Sequence, residues 1–152
     1  DLSPEHVRAL KKGLRRVTAP GGTAHLDATL ELWDLIGKTG TGQNVASLTG
    51  RGENDAWFAA LAGPFGGDPE IVVVALVEQG GSGSRTAAPL AAKTADFYLR
   101  QKHGIPVDTV QTLREWVAVR GWPAWHAERF RKASAAGEAA AGRSSGGGSR
   151  GT

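Results

Sequence analysis

The spacing of apolar side chains predicts a helix near the start of the chain. Val7, Leu10, Leu14 and Val17 recur at intervals of three and four residues, as on one face of an α-helix. The preceding Ser3-Pro4-Glu5 supplies a capping hydroxyl, a proline at the first helical position and an acid beside the positive end of the helix dipole. The other face is basic, with Arg8, Lys11, Lys12, Arg15 and Arg16. We interpret it as a solvated face rather than a surface for nucleic acid or lipid.

Three later stretches have the pattern of β-strands. Residues 33–44 are interpreted as extended, residues 55–62 are short and apolar with aromatic side chains, and residues 71–77 are rich in β-branched residues. Because residues 71–77 are apolar at successive positions, they predict a strand covered on both faces. Such a strand also needs a neighbour on each edge, so we expect further strands from polypeptide outside this sequence.

The second half of the chain changes composition. An alanine-rich pattern from Thr86 to about Lys102 predicts a helix that packs on the sheet. Residues 104–132 form an extension with three of the five Trp, predicted as one or two short helices that pack on the domain or serve as a linker, with a membrane-surface role as the alternative. Residues 133–152 hold no large apolar side chain, and we predict disorder there. Residues 1–103 form the remaining, domain-like portion.

Composition excludes several classes of function. The 152 residues carry a formal charge of +3, and no basic run with interleaved aromatics or zinc-finger signature indicates nucleic acid. The absence of Cys excludes disulfides and thiolate chemistry. The four His are scattered, so no metal site is predicted: His6, His25, His103 and His126. The absence of Met indicates a fragment or a processed product, and no apolar run of about 18 residues predicts a membrane span.

The strongest candidate for a functional segment is Gly37-Lys38-Thr39-Gly40-Thr41-Gly42-Gln43. In an extended chain, Lys38 and the two glycines after it lie on one side, and the two threonines and Gln43 on the other. An ammonium, two hydroxyls and backbone made accessible by glycine suit an anionic ligand, either a carboxylate or a phosphate. We regard the nearby acids Glu31 and Asp34 as ordinary exposed residues rather than a general acid/base pair.

Two known motifs contain these letters. A phosphate-binding P-loop requires a glycine where this chain has Leu32, so that interpretation fails. The Lys-Thr-Gly box of penicillin-binding proteins and serine β-lactamases is met by Lys38-Thr39-Gly40. A three-letter box alone is more often a lysine-capped turn in a loop, so its flanks decide.

The residues on both sides of the box resemble a known family. In order, the chain has an amphipathic helix, a Gly22-Thr23-Ala24 turn, the box, the strand Ala56-Trp57-Phe58, a Val-rich strand, a glycine loop and a helix opening at Ala88-Pro89. Over roughly residues 4–102 it resembles the C-terminal part of a class B penicillin-binding protein transpeptidase domain, of the elongation-associated penicillin-binding protein 2 kind. The resemblance implies an α+β fold. Its three antiparallel strands would belong to a larger transpeptidase or β-lactamase-like sheet, with packing helices at both ends of an incomplete domain.

The resemblance also implies an activity. Members attack the D-Ala-D-Ala end of a peptidoglycan stem peptide through a serine, pass the acyl group to an amine, and are acylated by β-lactams. Lys38 and Thr41 would be the catalytic residues here, with the Thr41 backbone N–H as one arm of an oxyanion hole. Thr39, Gly40 and Thr41 would bind the substrate. No cofactor is implied.

Departures from the family pattern limit what this chain can do. No Ser-x-x-Lys and no Ser-x-Asn is present, so the chain alone should be inactive. Gly42 stands where alanine is usual, and Asn54-Asp55 stand where a His is common. The alternatives are a D,D-carboxypeptidase, a β-lactamase-like member, or a non-catalytic module that binds carboxylates.

The remaining expectations come from the family. Partners would be the stem peptide, β-lactams and proteins of the cell-wall elongation machinery, without nucleic acid. The location would be the outer face of the cytoplasmic membrane or the periplasm, with membrane attachment only through a segment outside this chain.

Overall fold

A computed structural model describes residues 2–107 and 111–131. The predicted disorder of residues 133–152 falls outside this range. The chain divides into two compact units, Asp1–Gly121 and Trp122–Thr152, which we describe separately. In the described residues, no helix is long and apolar enough to cross a membrane.

The first helix, α1, spans Pro4–Thr18 and begins as its sequence predicts. The Ser3 hydroxyl accepts a hydrogen bond from the backbone N–H of His6 at 3.3 Å. At its other end the Thr18 hydroxyl donates to the Leu35 carbonyl at 2.7 Å. Arg15 forms two hydrogen bonds with the carboxylate of Asp34, which raise the pKa of Arg15 above its ordinary value. These contacts tie α1 to the start of the sheet.

The sheet has three antiparallel strands in the order β1-β2-β3. They are β1 at Asp34–Gly42, β2 at Asp55–Gly63 and β3 at Ile71–Val77. The register places Lys38 opposite Ala59 and Gly40 opposite Trp57. This arrangement, with helices packed on it, confirms the predicted α+β class with an antiparallel sheet.

The core lies on the face of the sheet that carries Phe58, which is fully buried. Three elements cover it: α2 at His25–Ala28, a π-helical turn at Gly83–Ala87 and α4 at Ala88–Lys102. Alanines dominate the buried positions of the turn and α4, and their small side chains let the helix lie close to the strands. Fully buried there are Ala87, Ala88, Ala91, Ala92, Ala95 and Leu99.

The opposite face of the sheet is only partly covered within the described residues. Helix α1 packs along β1, whereas Val72 and Val74 of β3 are 65% and 59% exposed. The prediction that β3 is covered on both faces is therefore wrong for the described chain. The run of apolar residues in β3 therefore does not show that both of its faces are buried. One edge of β3 also has no strand partner among these residues.

Helix α5, Leu113–Arg120, packs against α2. The Leu113 backbone N–H donates to the Thr29 carbonyl at 2.9 Å, and the Leu113 side chain is buried. Arg114 forms two hydrogen bonds with the carboxylate of Asp27, whose side chain is 6% exposed. The pairing neutralises a carboxylate that has little access to water.

A capping box begins α5 and a salt bridge joins it to α4. Glu115 accepts from the Thr112 backbone N–H at 2.9 Å and pairs with Lys93. Burial raises the pKa of Glu115, but the hydrogen bonds from Lys93 and Thr112 outweigh burial, so the pKa lies below its ordinary value. Residues 111–121 are thus fixed to the domain at α2 and α4.

A cluster around Glu70 joins the start of β3 to the end of α4. Glu70 accepts hydrogen bonds from Lys102 at 2.7 Å and from His103 at 2.9 Å, and the His103 ring lies 5.2 Å from that of Trp33. The hydrogen bonds from Lys102 and His103 hold the pKa of Glu70 below its ordinary value.

The second unit contains a helical segment, residues 124–131. The His126 ring lies between those of Trp122 and Phe130, with 4.8 Å between centroids on each side, and the Arg129 guanidinium lies 4.4 Å from the centre of the Trp125 ring. His126 is therefore a packing residue.

We expect Arg114→Ala to lower the free energy of unfolding by about 1–3 kcal/mol, because it leaves the buried Asp27 carboxylate without its partner. Urea unfolding followed by Trp fluorescence measures the change. The control, Arg120→Ala, removes the same side chain from the exposed end of α5, where it donates to Gln111 at 3.3 Å. Equal losses for the two variants would contradict the importance of the Asp27 pair.

The lowered pKa of Glu70 predicts how the stability of the fold depends on pH. Stabilisation by this cluster is present above the ordinary Glu value of 4.5 and is lost as the pH falls through the lowered pKa. An NMR titration of the Glu70 carboxyl carbon should therefore give a midpoint below 4.5. Lys102→Ala should raise that midpoint, whereas Lys12→Ala on α1 should leave it unchanged. If the midpoint did not move in Lys102→Ala, the hydrogen bond from Lys102 would not be the cause of the lowered Glu70 pKa.

Candidate functional site

The candidate site is the segment Gly37 to Gly42 of β1. This strand pairs with β2 along one edge, and its other edge has no strand partner among residues 2–107 and 111–131. An unpaired edge presents backbone N–H and C=O groups that can pair with an added extended chain. The site thus combines an open edge with the side chains of the Lys-Thr-Gly box.

Lys38 is exposed, and its ammonium is held over its own strand. The side-chain Nζ donates a hydrogen bond to the carbonyl oxygen of Thr39 at 2.6 Å. The register places Lys38 on the same face as Gly40 and Trp57, where the glycine leaves the backbone uncovered. An exposed amine therefore lies beside accessible backbone.

The two threonines occupy the other face of β1. Thr39 is half-buried and pairs in register with Phe58, whereas Thr41 is exposed and pairs with Ala56. The strand therefore separates the threonine hydroxyls from the Lys38 side chain, as side-chain alternation in the sequence indicates. All three residues belong to the strand that has one unpaired edge, and the Lys38 ammonium contacts the backbone carbonyl of Thr39.

Close packing requires the glycine at position 37 and crowds the one at position 40. A Cβ on Gly37 would lie 2.5 Å from the Ala59 carbonyl oxygen and 2.8 Å from Phe58 Cζ. A Cβ on Gly40 would lie 3.1 Å from Trp57 Cβ. At Gly42 the nearest atom, Trp57 Nε1, would be 3.6 Å away, which is ordinary contact. An alanine would fit at Gly42, so this departure from the family pattern has no steric consequence.

Asp55 fixes the end of β1, a role that sequence reasoning left open. Its Oδ1 accepts hydrogen bonds from Asn44 Nδ2 at 2.6 Å and from the Gln79 backbone N–H at 2.9 Å. Asn44 in turn caps α3, Val45–Leu48, in a reciprocal pair with Ser47. The spacing Asn44-x-x-Ser47 is a capping signal that the sequence contained. One carboxylate thus joins the segment after the box to the turn after β3.

A small cleft lies at the other end of β1 and does not contain the box. Lys11, Arg15 and Asp34 line it, with Ile36, Leu61, Gly63, Pro64, Gly67 and Pro69. Its charges are already paired, Arg15 with Asp34 and Lys11 with Asp68 at 3.2 Å. It therefore offers no free charge to a ligand.

The serines of the described residues are not arranged as serine–lysine pairs. Ser82 and Ser84 contact each other at 3.1 Å, and no serine hydroxyl in residues 2–107 and 111–131 is hydrogen-bonded to a lysine. The same residues contain no group of three or more His, Cys, Asp or Glu side chains placed to bind a metal. The site therefore combines an exposed amine, two hydroxyls and an unpaired strand edge.

Two comparisons with known proteins agree with this geometry. Residues 1–96 match the family described as the penicillin binding protein transpeptidase domain. The chain is also 33% identical over 124 residues to the peptidoglycan D,D-transpeptidase MrdA of Haemophilus influenzae. That alignment covers 70% of this chain and 19% of the relative, so the chain spans about a fifth of the relative's length.

These matches confirm the predicted resemblance to the transpeptidase domain of penicillin-binding protein 2 type. They cover α1, the sheet and most of α4, which are the elements that surround the box. The chain belongs to the penicillin-binding protein transpeptidase domain family.

Proposed function

We propose that this chain is the part of a peptidoglycan D,D-transpeptidase that binds the substrate along the Lys-Thr-Gly strand. The observation that carries the proposal is the exposed Lys38 on the unpaired edge of β1, within the residues that match the family. The substrate would be the D-Ala-D-Ala end of a stem peptide, and a β-lactam would occupy the same place.

Binding would use the backbone of β1 first. An extended peptide laid along the free edge gains main-chain hydrogen bonds of the kind that join strands in a sheet. Gly40 has no side chain to obstruct a ligand on the Lys38 side of the strand. The Lys38 ammonium would attract the terminal carboxylate, because opposite charges attract more strongly once water is partly excluded.

Thr39 and Thr41 would complete the contacts. Their hydroxyls would donate to the carboxylate, and the Thr41 N–H would stabilise the oxyanion that forms on the attacked carbonyl. Removal of one such donor in another serine hydrolase costs about 3 kcal/mol of transition-state stabilisation. Since the threonine side chains and Lys38 lie on opposite faces of β1, the ligand would have to contact the strand at its edge, where both faces are within reach.

The nucleophile would come from polypeptide outside this sequence. A serine Oγ would attack the penultimate D-Ala carbonyl carbon, its proton would pass to a lysine base, and terminal D-Ala would leave with a proton on its amine. The acceptor amine would then displace the serine. This chain alone would be inactive, because no such serine and lysine pair is present among its described residues.

The cellular setting is part of the same proposal. We propose that the protein acts in cell-wall elongation with other proteins of that machinery, at the outer face of the cytoplasmic membrane or in the periplasm. The family match supports this setting, which concerns the whole protein rather than this chain.

Lys38→Ala in the complete gene product should slow labelling by a fluorescent penicillin by about a hundredfold or more, because a charged donor at the acyl site is lost. Gel fluorescence against time measures the rate. Lys12→Ala, which removes an exposed lysine from α1, is the matched control and should label normally.

Two results of the labelling experiment and one further assay are informative. Normal labelling of Lys38→Ala would refute the role of Lys38. The absence of labelling in the unsubstituted protein would favour a non-catalytic module that binds carboxylates. Product release with or without an added amine acceptor would then separate transpeptidase from carboxypeptidase, since only the former transfers the acyl group to the amine.

A further inference from the structure

The glycine loop between β3 and α4 passes against the box. Gly83, the first residue of the π-helical turn, is buried beside the backbones of Gly40 and Trp57. The turn belongs to the same core as Phe58. The box is therefore supported from the interior by backbone rather than by a side chain.

Only glycine fits at this contact. A Cβ on Gly83 would lie 2.5 Å from the Trp57 carbonyl oxygen and 3.1 Å from the Gly40 nitrogen, and closer still to the Gly40 carbonyl oxygen. These are backbone atoms of two paired strands, so they cannot move aside as a flexible side chain would. Any larger residue at position 83 must displace β1 at Gly40 or the turn itself.

Several hydrogen bonds hold the turn in place. The Thr86 hydroxyl donates to the Gly80 carbonyl at 2.7 Å, and the Gly81 N–H donates to the Asn54 carbonyl at 2.8 Å. The Ser82 hydroxyl accepts from the Arg85 N–H at 3.4 Å. π-Helical turns are rare and frequently occur at functional sites. The turn is thus anchored independently of the box that it contacts.

We propose that Gly83 is a positioning residue that sets the position of the box backbone at Gly40, and through it the Thr41 N–H. The proposal rests on the proposed function, since it concerns the acyl site of that reaction. It gives a role to the glycine loop, whose sequence has neither the lysine of a P-loop nor the spacing of a dinucleotide fingerprint. The role of the loop in this proposal is to support a strand.

Gly80 in the same loop provides a matched comparison. A Cβ there would also be crowded, though less severely, at 2.9 Å from the Val77 carbonyl oxygen and 3.0 Å from Ala56 Cβ, and none of these contacts involves β1. Substitution at either glycine strains the loop. Only substitution at Gly83 presses on the box.

The test compares Gly83→Ala with Gly80→Ala in the complete gene product. The dependence of penicillin acylation on penicillin concentration separates the limiting rate from the apparent dissociation constant. We expect Gly83→Ala to lower the limiting rate by about tenfold to a hundredfold with little change in that constant, because small misplacements of reacting groups cost factors of this size. Gly80→Ala, at a similar loss in Tm, should stay within about twofold of the unsubstituted protein.

A second readout does not depend on activity. In the ¹⁵N-labelled chain, Gly83→Ala should shift the amide resonances of Gly40 and Thr41, whereas Gly80→Ala should leave that of Gly40 unchanged. If Gly83→Ala does not fold, acylation of the variant Thr86→Val is measured in its place. It removes the hydroxyl that donates to Gly80 without adding volume, and should slow acylation several-fold.

The outcomes separate the two proposals. Equal effects of the two glycine substitutions on acylation, or unmoved Gly40 and Thr41 resonances in Gly83→Ala, would overturn the role of Gly83. Normal acylation of Thr86→Val would overturn it where Gly83→Ala is unfolded. Normal labelling of Lys38→Ala would instead overturn the proposed function, and the amide shifts would still decide whether Gly83 positions the box.

Discussion

The pairing of β1 with β2 on one edge alone is the constraint on which the rest of the structure depends. It fixes the register that places Lys38 opposite Ala59 and Gly40 opposite Trp57, and it leaves a second edge whose backbone groups lack a strand partner in the described chain. A strand held firmly on one side and open on the other is suited to binding an extended peptide. Helix α1, through Arg15 and Thr18, holds the start of this strand, and Asp55 holds its end.

Much of the packing around the site is between backbone and backbone. Gly37 and Gly83 sit where a Cβ would meet strand backbone or a core aromatic ring, so the strands and the π-helical turn approach more closely than side chains would permit. Close backbone packing leaves little freedom for the strand to move, and catalysis depends on groups held in place before the reaction begins. The alanine-rich α4 extends the same close packing across the sheet.

Local signals made much of the fold predictable from the sequence. Ser3 and the spacing from Val7 to Val17 identified α1, and β-branched residues identified β3. Alternation gave the faces of β1 because strand periodicity is a local property. The exposure of Val72 and Val74 was not predictable, because burial depends on which elements pack above them. The contact of Gly83 with Gly40 joins residues 43 positions apart in sequence, and nothing in the glycine loop indicates its partner.

The most direct measurement of the central claim is a crystal structure of the complete gene product acylated by a penicillin. The account predicts that the acyl group lies along the free edge of β1. Its carbonyl oxygen should be within hydrogen-bonding distance of the Thr41 N–H, and its carboxylate should contact Lys38 and a threonine hydroxyl. A penicillin bound elsewhere, with the edge of β1 occupied by another strand of the protein, would contradict it.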